Sequence, residues 1–196
     1  SKGNFDEAIE NYDVAIDLEP EYAIAWYYRG LSYAEKGELD EAIKNFDRAV
    51  SLDPKDPVFW YYRGRTFANK DEFDKAIENY DRAISLHPEH KLAWCYRGCA
   101  YALKGEFDLA IENFDKAISL DPKDAIVRYF RGRAYNDKGE FDKAIEDFDE
   151  AISLDPKDAY FRHYRGLAHQ EKGDIPAAKV DFKKAEELGY EDESED

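Results

Sequence analysis

A short aromatic segment ending in Arg-Gly returns every 34 residues, and this spacing constrains the fold more than any other feature of the chain. Single residues keep the same spacing, from Pro20 to Pro54 and from Gly30 to Gly64. The segments are WYYRG at 26–30 and 60–64, WCYRG at 94–98, RYFRG at 128–132 and RHYRG at 162–166. A fixed period of this length indicates stacked structural units that share one continuous core.

Each period contains two helical segments. The first is predicted over 23–36 and ends at Gly37, because glycine readily takes the left-handed conformation that terminates a helix. The second is predicted over Leu39–Leu52, since Pro54 disfavours helix in the residue before it. The connections are only a few residues long, so consecutive helices must be antiparallel neighbours. The sequence therefore predicts an all-α fold, an alpha-solenoid of antiparallel helix pairs.

The repeated residues resemble the tetratricopeptide repeat (TPR) pattern. In the first full period they are Trp26, Gly30, Tyr33, Ala42, Phe46, Ala49 and Pro54, and the second half recurs as Ala76-Tyr80-Ala83-Pro88, Ala110-Phe114-Ala117-Pro122 and Ala144-Phe148-Ala151-Pro156. This resemblance covers residues 3–189. It implies a right-handed superhelix with first helices lining a concave groove, protein or peptide binding, and no catalysis.

The period also predicts the domain organisation, a single TPR solenoid over residues 1–190 followed by a disordered acidic tail at 191–196. Residues 3–19 match a second helix without its first helix, which predicts a fragment that begins inside a repeat. Self-association through residues 4–19 is expected, because part of the apolar face there lacks a cover. Five full repeats are predicted at 23–56, 57–90, 91–124, 125–158 and 159–190.

The charge and composition exclude several classes of partner. A net charge of -17 makes nucleic acid and anionic membranes poor partners. The 43% hydrophobic and 15% aromatic content favours a packed core over disorder. No apolar run approaches the roughly 18 residues of a membrane-spanning helix, and we expect a cytoplasmic protein.

An arginine stands at position 7 of every repeat, counting Ala23 of the first repeat as position 1. On a helical wheel it flanks the core and points away from the groove, where it needs a partner. An aspartate recurs at one position of the second helices, but the last second helix has Lys183 there. Pairing within a repeat would set Arg165 against Lys183. Pairing each arginine with the preceding repeat gives every arginine an aspartate. Solvated charges and direct ligand contact remain as alternatives. The predicted inter-repeat pairs are Asp13–Arg29, Asp47–Arg63, Asp81–Arg97, Asp115–Arg131 and Asp149–Arg165.

The sequence contains no pattern typical of a catalytic or metal site. Cys95 and Cys99 are predicted to be free thiols, because no further ligands are in register and a disulfide at this spacing would be strained. His87 and His90 flank Pro88 and are predicted to be solvated. With no nucleophile motif or phosphate loop, we expect no enzyme activity, no metal and no cofactor.

The groove wall is predicted from positions 2, 5 and 9 of the first helices. The Lys-Asn-Arg clamp with which some TPR proteins bind acidic C-terminal peptides is absent, and only Arg65 and Arg133 are basic. Tyrosines at position 6 either join the wall or pack between neighbouring first helices. The predicted wall residues are Ile24, Val58, Leu92, Ile126 and Tyr160 at position 2, Tyr27, Tyr61, Cys95, Tyr129 and His163 at position 5, and Leu31, Arg65, Cys99, Arg133 and Leu167 at position 9.

The leading hypothesis is a protein–protein interaction module that binds a peptide or helix in this aromatic and aliphatic groove. A self-assembling scaffold, joined through its ends or its groove, is one alternative. A regulatory arm of a larger enzyme is another. RNA-reading helical repeats are disfavoured by the charge and by the 34-residue period.

Overall fold

The computed structural model describes the backbone of residues 2–191 and the side chains of residues 5–191. These residues form helices and turns without a strand, which confirms the all-α fold. Residues 192–196 of the predicted acidic tail lie outside the described range. The helices are α1 (Lys2–Leu18), α2 (Ala23–Glu35), α3 (Leu39–Leu52), α4 (Pro57–Ala68), α5 (Phe73–Leu86), α6 (Lys91–Leu103), α7 (Phe107–Leu120), α8 (Ala125–Asp137), α9 (Phe141–Leu154), α10 (Ala159–Lys172) and α11 (Ile175–Glu187).

The chain divides into two compact units, residues 1–104 with α1–α6 and residues 105–196 with α7–α11. In the first unit the first helices α2, α4 and α6 contact one another in sequence order. The second helices α1, α3 and α5 touch the first helices but not one another within the described residues. The first helices therefore form the inner layer of this unit. In the second unit α8 and α10 contact each other in the same way.

In the pairs α2/α3, α4/α5, α8/α9 and α10/α11, a glycine of the first helix faces an aromatic ring of the second. A Cβ atom added at Gly30 would lie 2.9 Å from the Phe46 ring, and one added at Gly64 would lie 2.9 Å from the Tyr80 ring. These distances are shorter than an ordinary carbon–carbon contact of about 3.5–4.0 Å. A side chain at position 8 would therefore force the two helices apart, which explains why this glycine recurs.

The turns within the helix pairs use left-handed backbone, as predicted for Gly37, which has a φ of 80°. Asp71 takes the equivalent place between α4 and α5, with a φ of 59°. Aspartate tolerates this region better than most residues that carry a side chain. The turn geometry is therefore kept where glycine is replaced.

A row of surface ion pairs joins the end of each first helix to the start of the preceding second helix. Hydrogen bonds to Asp6 and Glu38 raise the pKa of Lys36. Such exposed pairs contribute little individually, typically about 0–1 kcal/mol. The pairs are Lys36–Asp6, Lys70–Asp40, Lys104–Asp74, Lys138–Asp108 and Lys172–Asp142.

Candidate interaction surface

The position 7 arginines lie between two repeats. In the repeat at 57–90, Arg63 Nη1 is 2.8 Å from Asp47 Oδ1 of the preceding repeat. The Arg63 guanidinium also lies 4.6 Å from the centre of the Trp60 ring, a distance at which cation–π attraction is significant. Contacts to the preceding repeat's aspartate recur in the pairs Arg29–Asp13, Arg97–Asp81, Arg131–Asp115 and Arg165–Asp149.

Sequence reasoning missed a second partner of these arginines, at position 23 of their own repeat. Arg63 Nε donates a 2.7 Å hydrogen bond to Asn79 Oδ1, and Arg29 Nε donates similarly to Asn45. Both asparagine side chains are buried. A polar residue directly before the core aromatic residue in every second helix was the available signal for this partner.

The position 23 partner is an aspartate in the last two repeats. Arg131 Nε lies 2.8 Å from Asp147 Oδ2 and its Nη2 lies 2.6 Å from Oδ1, a bidentate geometry. These hydrogen bonds are the main reason that the pKa of Arg131 is raised. Arg165 forms the same two contacts with Asp181. Bidentate, charge-assisted pairs are stronger than hydrogen bonds between neutral groups.

The change from asparagine to aspartate accompanies a change from tryptophan to arginine at position 4. Trp60 Nε1 donates a 3.0 Å hydrogen bond to the Pro54 carbonyl, and Arg128 Nη2 donates a 3.1 Å bond to the Pro122 carbonyl. Arginine therefore keeps the tryptophan hydrogen bond while adding a positive charge. In the repeat at 125–158, the added positive charge therefore occurs together with a negative charge at position 23.

The structure corrects the placement of three predicted wall residues at position 5. Tyr61, Cys95 and Tyr129 are buried, with exposed fractions of 3%, 5% and 9%. The next first helix covers the tyrosines, as shown by ring-centre distances of 5.8 Å from Tyr61 to Tyr96 and 5.5 Å from Tyr129 to Phe161. The expectation that these two tyrosines line an open groove wall was wrong, because a helical wheel of one helix contains no neighbouring repeat.

Position 2 is the most exposed part of the predicted wall. Ile24, Leu92, Ile126 and Tyr160 are exposed, and Val58 is partly buried. The remaining wall residues are partly buried: Tyr27 and His163 at position 5, and Leu31, Arg65, Cys99, Arg133 and Leu167 at position 9.

Position 6 contributes less to the surface than position 2. Tyr62 packs 5.5 Å from the Tyr27 ring and Tyr164 packs 5.2 Å from the Tyr129 ring, measured between ring centres. These side chains therefore fill the space between neighbouring first helices. Tyr28 and Tyr96 remain exposed at the same position.

The two wall arginines are partly shielded by aromatic rings. The Arg65 guanidinium lies 4.9 Å from the Tyr62 ring centre, and its Nη2 is 3.6 Å from Glu35 Oε1. The Arg133 guanidinium lies 4.8 Å from the Tyr164 ring centre. Each unit thus presents one positive charge among aromatic side chains.

Tyr190, which follows α11, covers part of α10, the first helix of the last repeat. Its ring stacks on His163 with 3.9 Å between ring centres, and it meets Tyr160 edge-on at 5.4 Å. Rings of the following repeat cover Tyr27, Tyr61 and Tyr129 at position 5. Tyr190 therefore takes over part of that covering role in the last repeat.

The prediction that His90 is solvated was wrong. Its Nδ1 accepts a 3.2 Å hydrogen bond from the Ala93 N–H and caps α6, and its ring lies 5.0 Å from that of Tyr61. Burial is the main cause of its lowered pKa, and His87 adds to the shift. His90 thus replaces an aspartate cap such as Asp56, whereas His87 is exposed.

We expect acid to destabilise the protein through His90. Its pKa in the folded state lies below the ordinary value of 6.5, so the unfolded chain binds the proton more readily and stability falls as pH drops through that value. Protonation removes the cap acceptor, at a cost of about 1 kcal/mol. Urea unfolding at pH 7.5 and pH 5.5 should show a smaller pH effect for His90→Asp than for the unmodified protein.

The matched control is His87→Asp, which changes an exposed histidine in the same loop. It should reduce the pH dependence less than His90→Asp does, because His87 is a smaller cause of the lowered His90 pKa than burial is. An equal flattening of the pH dependence by both variants would contradict the capping role of His90.

Family models describe almost the whole chain as TPR sequence. "Tetratricopeptide repeat" models match residues 1–57, 57–90 and 92–124, and a "TPR repeat" model matches residues 132–173. A crystal structure of MamA is 30% identical, with a TM-score of 0.75, and the match covers 81% of this chain and 93% of that chain. The chain is a tetratricopeptide repeat protein. No curated protein sequence matches this TPR protein.

Further solved structures share the TPR fold. MamA 41-end from Desulfovibrio magneticus RS-1 is 25% identical, with a TM-score of 0.79 and coverage of 85% of this chain and 94% of that chain. YrrB, described as a TPR protein with an unusual peptide-binding site, is 22% identical, with a TM-score of 0.75. The match covers 92% of this chain and 93% of the YrrB chain. The YrrB likeness bears on the fold alone.

As a TPR protein, the chain is a protein-interaction module of a fold that is not typically catalytic. Cys95 and Cys99 do not form a disulfide. Among the described residues, no group of three or more His, Cys, Asp or Glu side chains is arranged to hold a metal ion. Across residues 2–191, no helix combines the length and apolar character needed to cross a membrane.

Proposed function

We propose that this protein binds a peptide or helix of a partner protein on the inner layer of its first helices. The observation that carries the proposal is the exposure of large apolar side chains at position 2. Ile24 and Leu92 are 44% and 45% exposed in the first unit, and Ile126 and Tyr160 are 46% and 58% exposed in the second. Apolar side chains repeated on the inner layer within each unit favour protein binding.

The chemistry of this surface favours a ligand with apolar or aromatic side chains. Position 2 offers aliphatic groups, and the exposed Tyr28 and Tyr96 offer large rigid contact areas of the kind enriched at binding hot spots. A single ligand carboxylate beside Arg65 or Arg133 would set the register of the peptide. A polyacidic peptide should bind poorly, because the net charge of -17 repels it.

A peptide library can test this proposal. Peptides selected from a random 12-residue library should be rich in apolar and aromatic residues. Ile24→Ser combined with Leu92→Ser should weaken their binding at least about tenfold, which corresponds to about 1.4 kcal/mol. Because both side chains are exposed, folding should be nearly unchanged, within about 0.5 kcal/mol per site. Fluorescence anisotropy measures the affinity and urea unfolding measures the stability.

The matched control replaces exposed apolar residues of second helices, Leu109→Ser with Val180→Ser. This variant should bind the selected peptides as the unmodified protein does. Arg65→Ala should weaken only those peptides that contain a carboxylate. The proposal would be refuted if the peptides still bound the Ile24→Ser, Leu92→Ser protein but no longer bound the Leu109→Ser, Val180→Ser protein. The peptides would then bind the second helices.

A further inference from the structure

Helix α1 has two apolar faces, and the structure covers them unequally. Ile9 and Ile16 are buried, with exposed fractions of 8% and 7%. On the other face Ala8 and Tyr12 remain partly exposed, although their equivalents in α3, Ala42 and Phe46, are 0% exposed. The face of α1 that contains Ala8 and Tyr12 therefore has the residue types of a buried helix face, but it is not fully buried.

The complete helix pairs show what normally covers this face. In α2 and α3, the glycine of the first helix faces the aromatic ring of the second, with a Gly30 Cβ position 2.9 Å from Phe46. The neighbouring Arg29 Nε donates a 2.8 Å hydrogen bond to Asn45 Oδ1. The same two contacts recur between α4 and α5, with Gly64 on Tyr80 and Arg63 on Asn79.

Helix α1 has both residues that a first helix would contact, the aromatic residue that faces the glycine and the asparagine that accepts from the arginine. Tyr12 stands at the position of the ring, and Asn11 stands at the position of the buried asparagine. Asn11 is exposed, however, whereas Asn45 and Asn79 are 3% and 4% exposed. The face thus offers a ring, small alanines and an amide oxygen in the arrangement that receives an Arg-Gly helix.

We propose that the open face of α1 binds an α-helix from outside this 196-residue sequence, one that contains an Arg-Gly pair preceded by an aromatic residue. The glycine of that helix lies against the Tyr12 ring, and its arginine donates to the Asn11 side chain. This site lies on a second helix and is independent of the groove of the first helices.

The structure disfavours a second copy of this chain as the occupant. Four of its five Arg-Gly helices, α2, α4, α8 and α10, already pack against their own second helices α3, α5, α9 and α11. A folded copy could offer one of them only by giving up that packing. The occupant is therefore a helix whose Arg-Gly face is free.

A synthetic peptide with the sequence of residues 20–38 is a direct probe, because it contains Trp26, Arg29 and Gly30 in their natural register. Labelled with fluorescein and titrated with the complete protein, it should bind saturably. Ala8→Arg in the protein places a charge on the open face and should weaken binding at least about tenfold. Glu7→Arg places an arginine at an exposed neighbouring position and should have little effect.

Changes in the peptide test the two specific contacts. Replacing its glycine by leucine should weaken binding at least about tenfold, because a side chain there would meet the Tyr12 ring. Replacing its arginine by leucine should weaken binding to the unmodified protein, but have a smaller effect on the Asn11→Ala protein. The Ile24→Ser, Leu92→Ser protein should still bind the peptide, which separates this site from the groove.

Four results would overturn the proposal. The first is no saturable binding of the peptide. The second is equal affinity of the glycine and leucine peptides. The third is full binding to the Ala8→Arg protein. The fourth is a dimer, seen by sedimentation, that Ala8→Arg dissociates and the peptide does not, since a second copy would then occupy the face.

Discussion

Replacing Arg131 by leucine should lower the free energy of unfolding by about 3–5 kcal/mol, the usual effect of removing one partner of a buried ion pair. The reason is Asp147, whose side chain is nearly inaccessible and accepts two hydrogen bonds from Arg131. Without the arginine, this carboxylate stays buried and uncompensated. Urea unfolding followed by circular dichroism measures the loss.

The matched variant is Arg63→Leu, which leaves the neutral Asn79 without its donor. Its cost should be smaller, about 1–3 kcal/mol, because only a neutral polar group loses its hydrogen bond. Equal losses in the two variants would show that the charge of the position 23 partner does not matter.

Double-mutant cycles should separate the two partners of Arg131. Coupling with the buried Asp147 should exceed coupling with Asp115, whose side chain is 53% exposed and whose pair should contribute at most about 1 kcal/mol. The predicted inter-repeat pairing would be refuted at this site by a coupling of zero between Arg131 and Asp115.

Tyr61→Ala should also be strongly destabilising, by about 3–5 kcal/mol, because it removes a large aromatic side chain from a packed core. Tyr61 is 3% exposed, and its ring contacts the rings of Tyr80, Tyr96 and His90. Tyr129→Ala should have a comparable effect in the second unit. Thermal and urea unfolding of each variant measure these losses.

The control for this experiment is Tyr160→Ala, since Tyr160 belongs to the same predicted wall but is 58% exposed. Its stability should change by less than about 1 kcal/mol. A Tyr61→Ala protein as stable as the Tyr160→Ala protein would mean that position 5 lies at the surface. Binding experiments should therefore use substitutions at position 2, where a loss of affinity is not confused with unfolding.

The repeat itself determined the local structure. The Pro54 spacing and Gly37 predicted α3 over Leu39–Leu52, which is its observed range, and placed the end of α2 within one residue. These features act within a few residues, through proline and glycine backbone preferences, so a sequence pattern contains them completely. The all-α fold and the TPR family follow from the same pattern.

The arginines show where a pattern is sufficient for one contact and insufficient for another. The predicted partner of Arg165 was Asp149, and the two side chains lie 2.5 Å apart. Lys183 stands where the other second helices have this aspartate, so the sequence alone excluded pairing within the repeat and left Asp149 as the partner. Asp181, which forms the bidentate contact with Arg165, repeats without an exception of that kind, so the pattern did not distinguish it from a solvated carboxylate.

Only the tertiary structure decided which groove residues are accessible. Tyr61 and Leu92 share the predicted wall, yet the first is buried and the second is exposed. His90 belongs to a polar loop, yet it caps α6 and packs on Tyr61. Burial depends on how closely the next first helix approaches, as in the 5.8 Å between the ring centres of Tyr61 and Tyr96. The angles of one helix do not contain that distance.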